Sequence, residues 1–275
     1  MSQVWIDGAL VDKNDAKVSV FDHGLLFGDG VTEGMRAYGG SVFRLAEHLD
    51  RLFASADAIA LKLTMTRPDF AAAIAATLAA NGRADGYVKV VVTRGAGTLG
   101  LDPRKCEPQV IVIAEDVVPF PRELYAVGLD LVTTSVRWPL PHPVGTLSRV
   151  AGVLAKREAL QAGCLEAVVL DAAGSVVGGA ESDLAAVYGN TVRLPNRGGV
   201  TQQFVAELAE RAGSTVVVGG LNRDDLTAAD ELFLTSAEAE QIGVRSLDGS
   251  KVGGGGEGPI TRQLREAFRA ATRGV

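Results

Sequence analysis

Cysteine is scarce. Cys106 and Cys164 are the only two in 275 residues. Two thiols build no disulfide framework, and their spacing fits no metal motif. No apolar run reaches the roughly 18 residues that a membrane span requires. The first twenty residues, with Asp7, Asp12, Lys13, Asp15 and Lys17 among them, are too polar for a signal peptide. Basic charge is not in excess. The net charge of −6 argues against nucleic acid, whose binding needs a basic patch. There is no internal repeat, no Ser-His-Asp arrangement, no metal cluster and no Walker-type phosphate loop. Gly253–Gly256 has no Lys-Ser/Thr after it and reads as a turn. What remains is 47% apolar and 22% charged, ordinary for a soluble enzyme-like chain. The length suits two medium domains or one large one. The expectation is a soluble, cytoplasmic protein with neither a nucleic-acid nor a membrane partner.

Residues 3–21 read as strand, turn and strand. Val4-Trp5-Ile6 and Ala9-Leu10-Val11 flank the Asp7-Gly8 hairpin signal, and Val18–Phe21 follows as a further strand. Leu45, Leu49, Leu52, Phe53, Ala56 and Ile59 recur on one face of a helix from about Ala46 to Leu61. Thr66 offers an N-cap and Pro68 a first-turn residue for a second helix. Phe70, Ile74 and Leu78 mark its buried stripe, and Gly82 its stop. Tyr87–Thr93 and Val110–Ala114 read as buried strands. The candidate linker is 115–122, with two prolines. Beyond it the pattern predicts a strand at Leu129–Thr134, a proline-rich loop at Trp138–Pro143 and a helix over Ser148–Gln161. Strands follow at Glu166–Asp171, Val176–Val177, Leu184–Tyr188 and Val192–Leu194. A helix after Gly199-Val200-Thr201 buries Phe204, Val205, Leu208 and Ala209. Glu231–Thr235 is a short strand. A last helix follows Pro259, with Ile260, Leu264 and Phe268 at every fourth place. The order indicates α/β structure with strands and helices mixed, α+β fashion, in two domains. These are a small N-terminal one over 1–114, the linker 115–122, and a large C-terminal one over 123–275.

Several segments resemble the class IV aminotransferase family. Its members include branched-chain and D-amino-acid aminotransferases and aminodeoxychorismate lyase. The matching stretches are Val20–Gly30, Glu33–Tyr38, Phe43–Leu52, Val91–Gly95, Leu101–Lys105, Val169–Asp171, Gly199–Thr201 and Ala229–Thr235, in family order and spacing. The resemblance implies the two-domain fold of the fold-type IV pyridoxal-phosphate (PLP) enzymes, with the site between the domains and usually a homodimer.

Carried over position by position, the family's site is incomplete. Val144-Gly145-Thr146-Leu147-Ser148-Arg149, ahead of Val153–Ala159, resembles the stretch whose lysine holds PLP as a Schiff base. Gly145 stands at the lysine's place, and glycine has no amine. The glutamate that pairs with the pyridine nitrogen falls at Gly178, and without it the ring is a weaker electron sink. Glu181 lies three residues on, and along an extended segment it would face the other way. Of the phosphate contacts, Arg51 is retained. Val200 and Thr201 match backbone and hydroxyl contacts at a helix N-terminus, where free N–H groups and the dipole favour an anion. The plainer readings are a solvated helix-face arginine for Arg51 and an N-cap for Thr201. The later phosphate threonine falls at Ala237, with Ser236 beside it as a substitute. Thr32 stands for an aromatic and Asp183 for an asparagine. Arg149 stands for a tyrosine, and arginine at this place also resembles the lyase branch.

The other lysines are Lys13, Lys17, Lys62, Lys89, Lys105, Lys156 and Lys251. Lys89 shares a strand face with Tyr87, a face that in relatives points into the substrate pocket. There it is a nucleophile if desolvated, or else a snorkelling or anion-binding lysine. Lys156 reads as a surface charge, and His23 as a structural hydrogen-bonding residue. His48 and His142 read as isolated. The substrate-pocket candidates are Phe27, Tyr87, Lys89, Arg94 and Arg149. The functional expectation is a homologue with a degenerate PLP site, unable to transaminate ordinarily, that binds a small anionic metabolite at the retained phosphate positions. PLP is expected by resemblance without a covalent link, or not at all. The alternatives are a PLP-dependent branched-chain or D-amino-acid transaminase or aminodeoxychorismate lyase with atypical catalysis, and a PLP-independent lyase or isomerase. In the latter, Arg149, Lys89, Tyr87 and Arg94 would bind carboxylate.

Overall fold

A computed structural model of the chain describes residues 2–138, 144–196 and 198–272. The chain forms two compact units. Of the described residues, unit 1 takes 2–118 and 144–149, and unit 2 takes 119–138, 150–196 and 198–272. Residues 144–149, assigned above to the C-terminal domain, therefore belong to unit 1. Their backbone explains this. Thr146 bridges Val31, the Thr32 amide donates to the Gly145 carbonyl at 2.8 Å, and the Leu147 amide donates to the Gly30 carbonyl at 3.0 Å.

Unit 1 contains β1 (Gln3–Ile6), β2 (Ala9–Asp12), α1 (His23–Phe27), β3 (Gly30–Tyr38), β4 (Ser41–Val42), α2 (Leu45–Ala58), α3 (Arg67–Ala80), β5 (Gly86–Thr93) and β6 (Gln109–Glu115). Its strands form one antiparallel sheet in the order β2-β1-β6-β5-β3-β4. Alternation along β3 and β5 turns Val31, Met35, Val88 and Val90 toward the apolar faces of α2 and α3, including Leu52 and Phe70. Each such fully buried side chain contributes about 1.5–3 kcal/mol. The α3 start follows its sequence signal. Thr66 caps the Asp69 amide, Asp69 answers at the Thr66 amide, and Gly82 adopts φ +61° just past the end. Val18–Phe21 is a correction, because it forms no strand. The Ser19 hydroxyl and carbonyl instead take the Phe21 and Asp22 amides in a turn, leaving Val20 and Phe21 exposed.

Unit 2 contains α4 (Arg122–Val127), β7 (Leu129–Arg137), α5 (Val150–Gln161), β8 (Glu166–Leu170), β9 (Val176–Gly179), β10 (Asp183–Tyr188), β11 (Thr191–Leu194), α6 (Val200–Arg211), β12 (Thr215–Val218), α7 (Arg223–Thr227), β13 (Glu231–Ser236), β14 (Glu240–Leu247), β15 (Ser250–Lys251) and α8 (Pro259–Thr272). The sheet order is β12-β11-β10-β13-β14-β7-β8-β9, with β15 on β14. The parallel neighbours β7–β8 and β11–β12 are joined through α5 and α6, the crossovers that parallel pairing demands. Leu131, Leu184, Leu232, Leu234 and Ile242 centre the core on one sheet face. The helix expected from Ser148 starts at Val150, because Ser148 and Arg149 are held in unit 1. Of the proline-rich segment, Trp138 is described, while 139–143, including His142, lie outside the described residues.

Candidate functional site

In unit 1 the candidate residues gather around β3. The pattern Val31-x-Glu33-x-Met35-x-Ala37 puts a carboxylate among apolar side chains on the buried face. A charge there requires partners. Glu33, only 2% exposed, receives a 2.8 Å hydrogen bond from His48 Nδ1 and a short one from Arg51 Nη1. Both donors lie on α2, one turn apart. Arg51 is therefore neither a solvated surface charge nor a side chain oriented only by a ligand. His48, read as isolated, is a structural partner instead. The alternation of β3 is the sequence signal from which this cluster could have been found.

Gly145 lies against the same cluster. Its amide donates to Ser55 Oγ at 3.1 Å. A Cβ on Gly145 would sit 2.6 Å from the Thr32 carbonyl oxygen, 3.6 Å from Ser55 Oγ and 3.7 Å from Arg51 Nη1. The first of these is far inside van der Waals contact, and its partner is main chain. Thr32, where an aromatic was expected, donates its hydroxyl to the Val90 carbonyl at 2.9 Å.

The substrate-pocket candidates of unit 1 divide. Tyr87 and Lys89 do share one face of β5, and the Tyr87 ring crosses over Gly34. Lys89 is exposed, which removes the desolvation that a nucleophilic lysine would need. Phe27 packs edge-on to His23, whose Nε2 lies 2.8 Å from the Thr98 carbonyl, the structural role expected of it. Arg149 is exposed at the start of the chain's passage to α5. Arg94 is a correction. It is 8% exposed, its guanidinium grips Asp29 through Nε and Nη2 at 2.9 Å each, and it also donates to the Ile59 and Ala60 carbonyls. With its donors committed to Asp29 and to the end of α2, it is a structural arginine and not one that binds a substrate carboxylate.

In unit 2, Gly178 lies on β9 opposite Val169 with φ +155°, and a Cβ there would meet the Ser182 carbonyl at 3.2 Å. The chain does not continue extended from it, which the opposite facing of Glu181 would require. It turns over 180–182 around buried Glu166, whose carboxylate accepts from the Ala167, Ala180 and Glu181 amides and from Ser182 Oγ. Glu181 itself pairs with Lys156 at 2.7 Å, so neither is a detached surface charge.

The start of α6 also differs from expectation in its cap. Gly199, not Thr201, is the N-cap, and Thr201 is the second helical residue. The first-turn amides of Val200 and Thr201 have no intrahelical acceptor by position. Val200 is buried and Thr201 half-buried. Asp183 brings its own carboxylate to this helix start, accepting from the Gly199 amide at 2.7 Å. Gln202 braces the turn, donating to the Leu184 carbonyl at 2.8 Å and accepting from the Gly198 amide at 2.9 Å. Ser236 Oγ accepts from the Ala239 amide at 2.9 Å, in the turn that contains Ala237. Its hydroxyl proton remains a donor. Both cysteines are free thiols, and burial, the largest influence on each, pushes their pKa upward. Among the described residues no His/Cys/Asp/Glu group is arranged for a metal, and no helix is long and apolar enough to cross a membrane.

The family model for amino-transferase class IV matches residues 30–247. A putative branched-chain-amino-acid aminotransferase of Methanocaldococcus jannaschii is 41% identical over 97% of this chain and 95% of its own length. The crystal structure of a branched-chain amino acid aminotransferase from T.th. with pyridoxamine 5'-phosphate superposes with a TM-score of 0.93 at 32% identity, covering 99% of this chain and 94% of that one. The 4-amino-4-deoxychorismate lyase of Pseudomonas aeruginosa superposes with a TM-score of 0.85 at 29% identity, over 98% and 99%.

Proposed function

The chain belongs to the class IV aminotransferase family, and from that premise we propose that it is a member without Schiff-base chemistry that binds a small anionic metabolite at residues its relatives use for the cofactor phosphate. One observation carries this reading. At Gly145 there is no amine, and the space where a side chain would begin holds the Thr32 carbonyl. Gly178 likewise offers no carboxylate to a pyridine nitrogen. The residues at these two positions do not fit PLP held as an internal Schiff base.

What persists suits anion binding. Arg51 is fixed by Glu33, so its guanidinium is positioned before any ligand arrives. In unit 2 the α6 start presents the Val200 and Thr201 amides together with the Thr201 hydroxyl. Asp183 limits that affinity, because its carboxylate places negative charge at the same helix start. A phosphate ester or a free carboxylate, bound with modest affinity, is the ligand class, with PLP bound without a covalent link as one case. In this reading the protein works as a homodimer in the cytoplasm.

The test is titration of the purified protein with PLP and with inorganic phosphate, followed by borohydride reduction and intact-mass analysis. Saturable PLP binding that phosphate displaces, with no covalent adduct, is expected. Arg51→Ala should weaken it about tenfold or more, the scale of a charge-assisted bond. A cofactor-sized adduct on Lys89 or any other lysine would overturn the proposal.

A further inference from the structure

The two vacated catalytic positions lie in different units and share a property. At Gly145 the obstacle is steric. The segment 144–147 is zipped against β3 by the Thr32–Gly145 and Leu147–Gly30 main-chain bonds and by the Gly145–Ser55 bond. A Cβ is thereby directed at the Thr32 carbonyl oxygen, 2.6 Å away. Because that oxygen belongs to the main chain, no substitution of the Thr32 side chain relieves the contact. At Gly178 the obstacle is conformational. Its φ of +155° lies where side-chain-bearing residues are rare, and the Ser182 carbonyl stands 3.2 Å from the Cβ position. The turn that follows over 180–182 is fixed by three donors to Glu166, the Ala180 and Glu181 amides and Ser182 Oγ.

From these two geometries we infer that Gly145 and Gly178 are structural residues of this chain and not mere vacancies. Restoring lysine and glutamate therefore does not rebuild a cofactor-linked site. The backbone at each position has closed on the glycine. This goes beyond the proposed function and rests on it in one respect, the assignment of 145 and 178 as the lysine and carboxylate places.

The experiment compares Gly145→Ala, Gly178→Ala and, as control, Gly254→Ala, whose Cβ would meet nothing within 4 Å. Thermal melts without ligand are expected to show losses in Tm of roughly 3–8 °C for the first two and none for the control. A Gly145→Lys/Gly178→Glu variant, treated with PLP and borohydride, is expected to yield no adduct at residue 145. If it does not fold, the alanine variants, which add a single methyl group, still decide. Wild-type-like melting of Gly145→Ala and Gly178→Ala would overturn the inference, and so would an adduct mapped to residue 145. An adduct on a different lysine of the wild-type protein would defeat the proposed function but leave the melting comparison intact, so the two failures are distinguishable.

Discussion

Arg94 shows how much a single side chain can mislead when read from sequence. It follows a strand in a stretch that resembles the family, and a charge there suggests substrate. The structure commits it to Asp29 and two helix-end carbonyls. Arg94→Ala is expected to destabilise the protein by about 2–4 kcal/mol in urea melts, since it strands a partly buried carboxylate. Arg94→Lys should recover only part of this, because an ammonium cannot fork. Phosphate binding by the folded variants should be unchanged, as expected of a residue outside the Arg51, Val200 and Thr201 set. Glu33 teaches the converse. Its place on the apolar side of β3 follows from an alternation that the strand reading above did not include, and its partners His48 and Arg51 come from α2, at sequence separations that no local pattern reveals.

Elements with a local physical signature were legible. α3 carries its own cap, first-turn proline and terminal glycine, and β5 and β6 carry dense β-branched runs. Val18–Phe21 has a strand's composition but lacks a strand partner, which only the fold assigns. β7 illustrates an interaction set that no composition discloses. Three carboxylates are bonded along it, its own Asp130 and two from elsewhere, Glu158 and Asp248. Arg245 bonds Asp130 and holds its pKa low, and Ser135 and Thr134 do so for Glu158. At Asp248, burial pushes the pKa up, but the bonds from Thr133 and Arg223 together prevail and lower it. The folded pKa values thus lie below the ordinary 3.8 for aspartate and 4.5 for glutamate. Their stabilisation is present above those values and is lost as pH falls through the folded ones. Asp248→Asn should therefore lower Tm near about pH 7, with the gap from wild type closing toward about pH 3. A gap that stays constant with pH would refute an ionic origin.

For the whole molecule, the mixed two-unit fold could be read from the order of elements, and the family from motifs spread along the chain. The allegiance of residues 144–149 could not, because it depends on main-chain bonds to residues far earlier in the chain, at Gly30 and Thr32. Unit 1 leaves Val20, Phe21, Leu25, Leu99 and Leu101 exposed, side chains that the proposed second subunit would cover. Light scattering is expected to give a homodimer, and Phe21→Asp with Leu25→Asp to shift it toward monomer. A monomeric wild type would refute the proposed assembly.

The chain passes from unit 1 to unit 2, returns for residues 144–149 and leaves again. That itinerary sets a schedule for synthesis. The contacts that finish the first unit are made by a segment translated after β7, so the nascent N-terminal portion must wait on the ribosome with the Gly30–Thr32 edge uncovered until residue 149 has cleared the exit tunnel. Slow codons or a stall between 118 and 149 would lengthen the exposure of that edge, and folding yield would then depend on the tempo of translation as well as on the sequence.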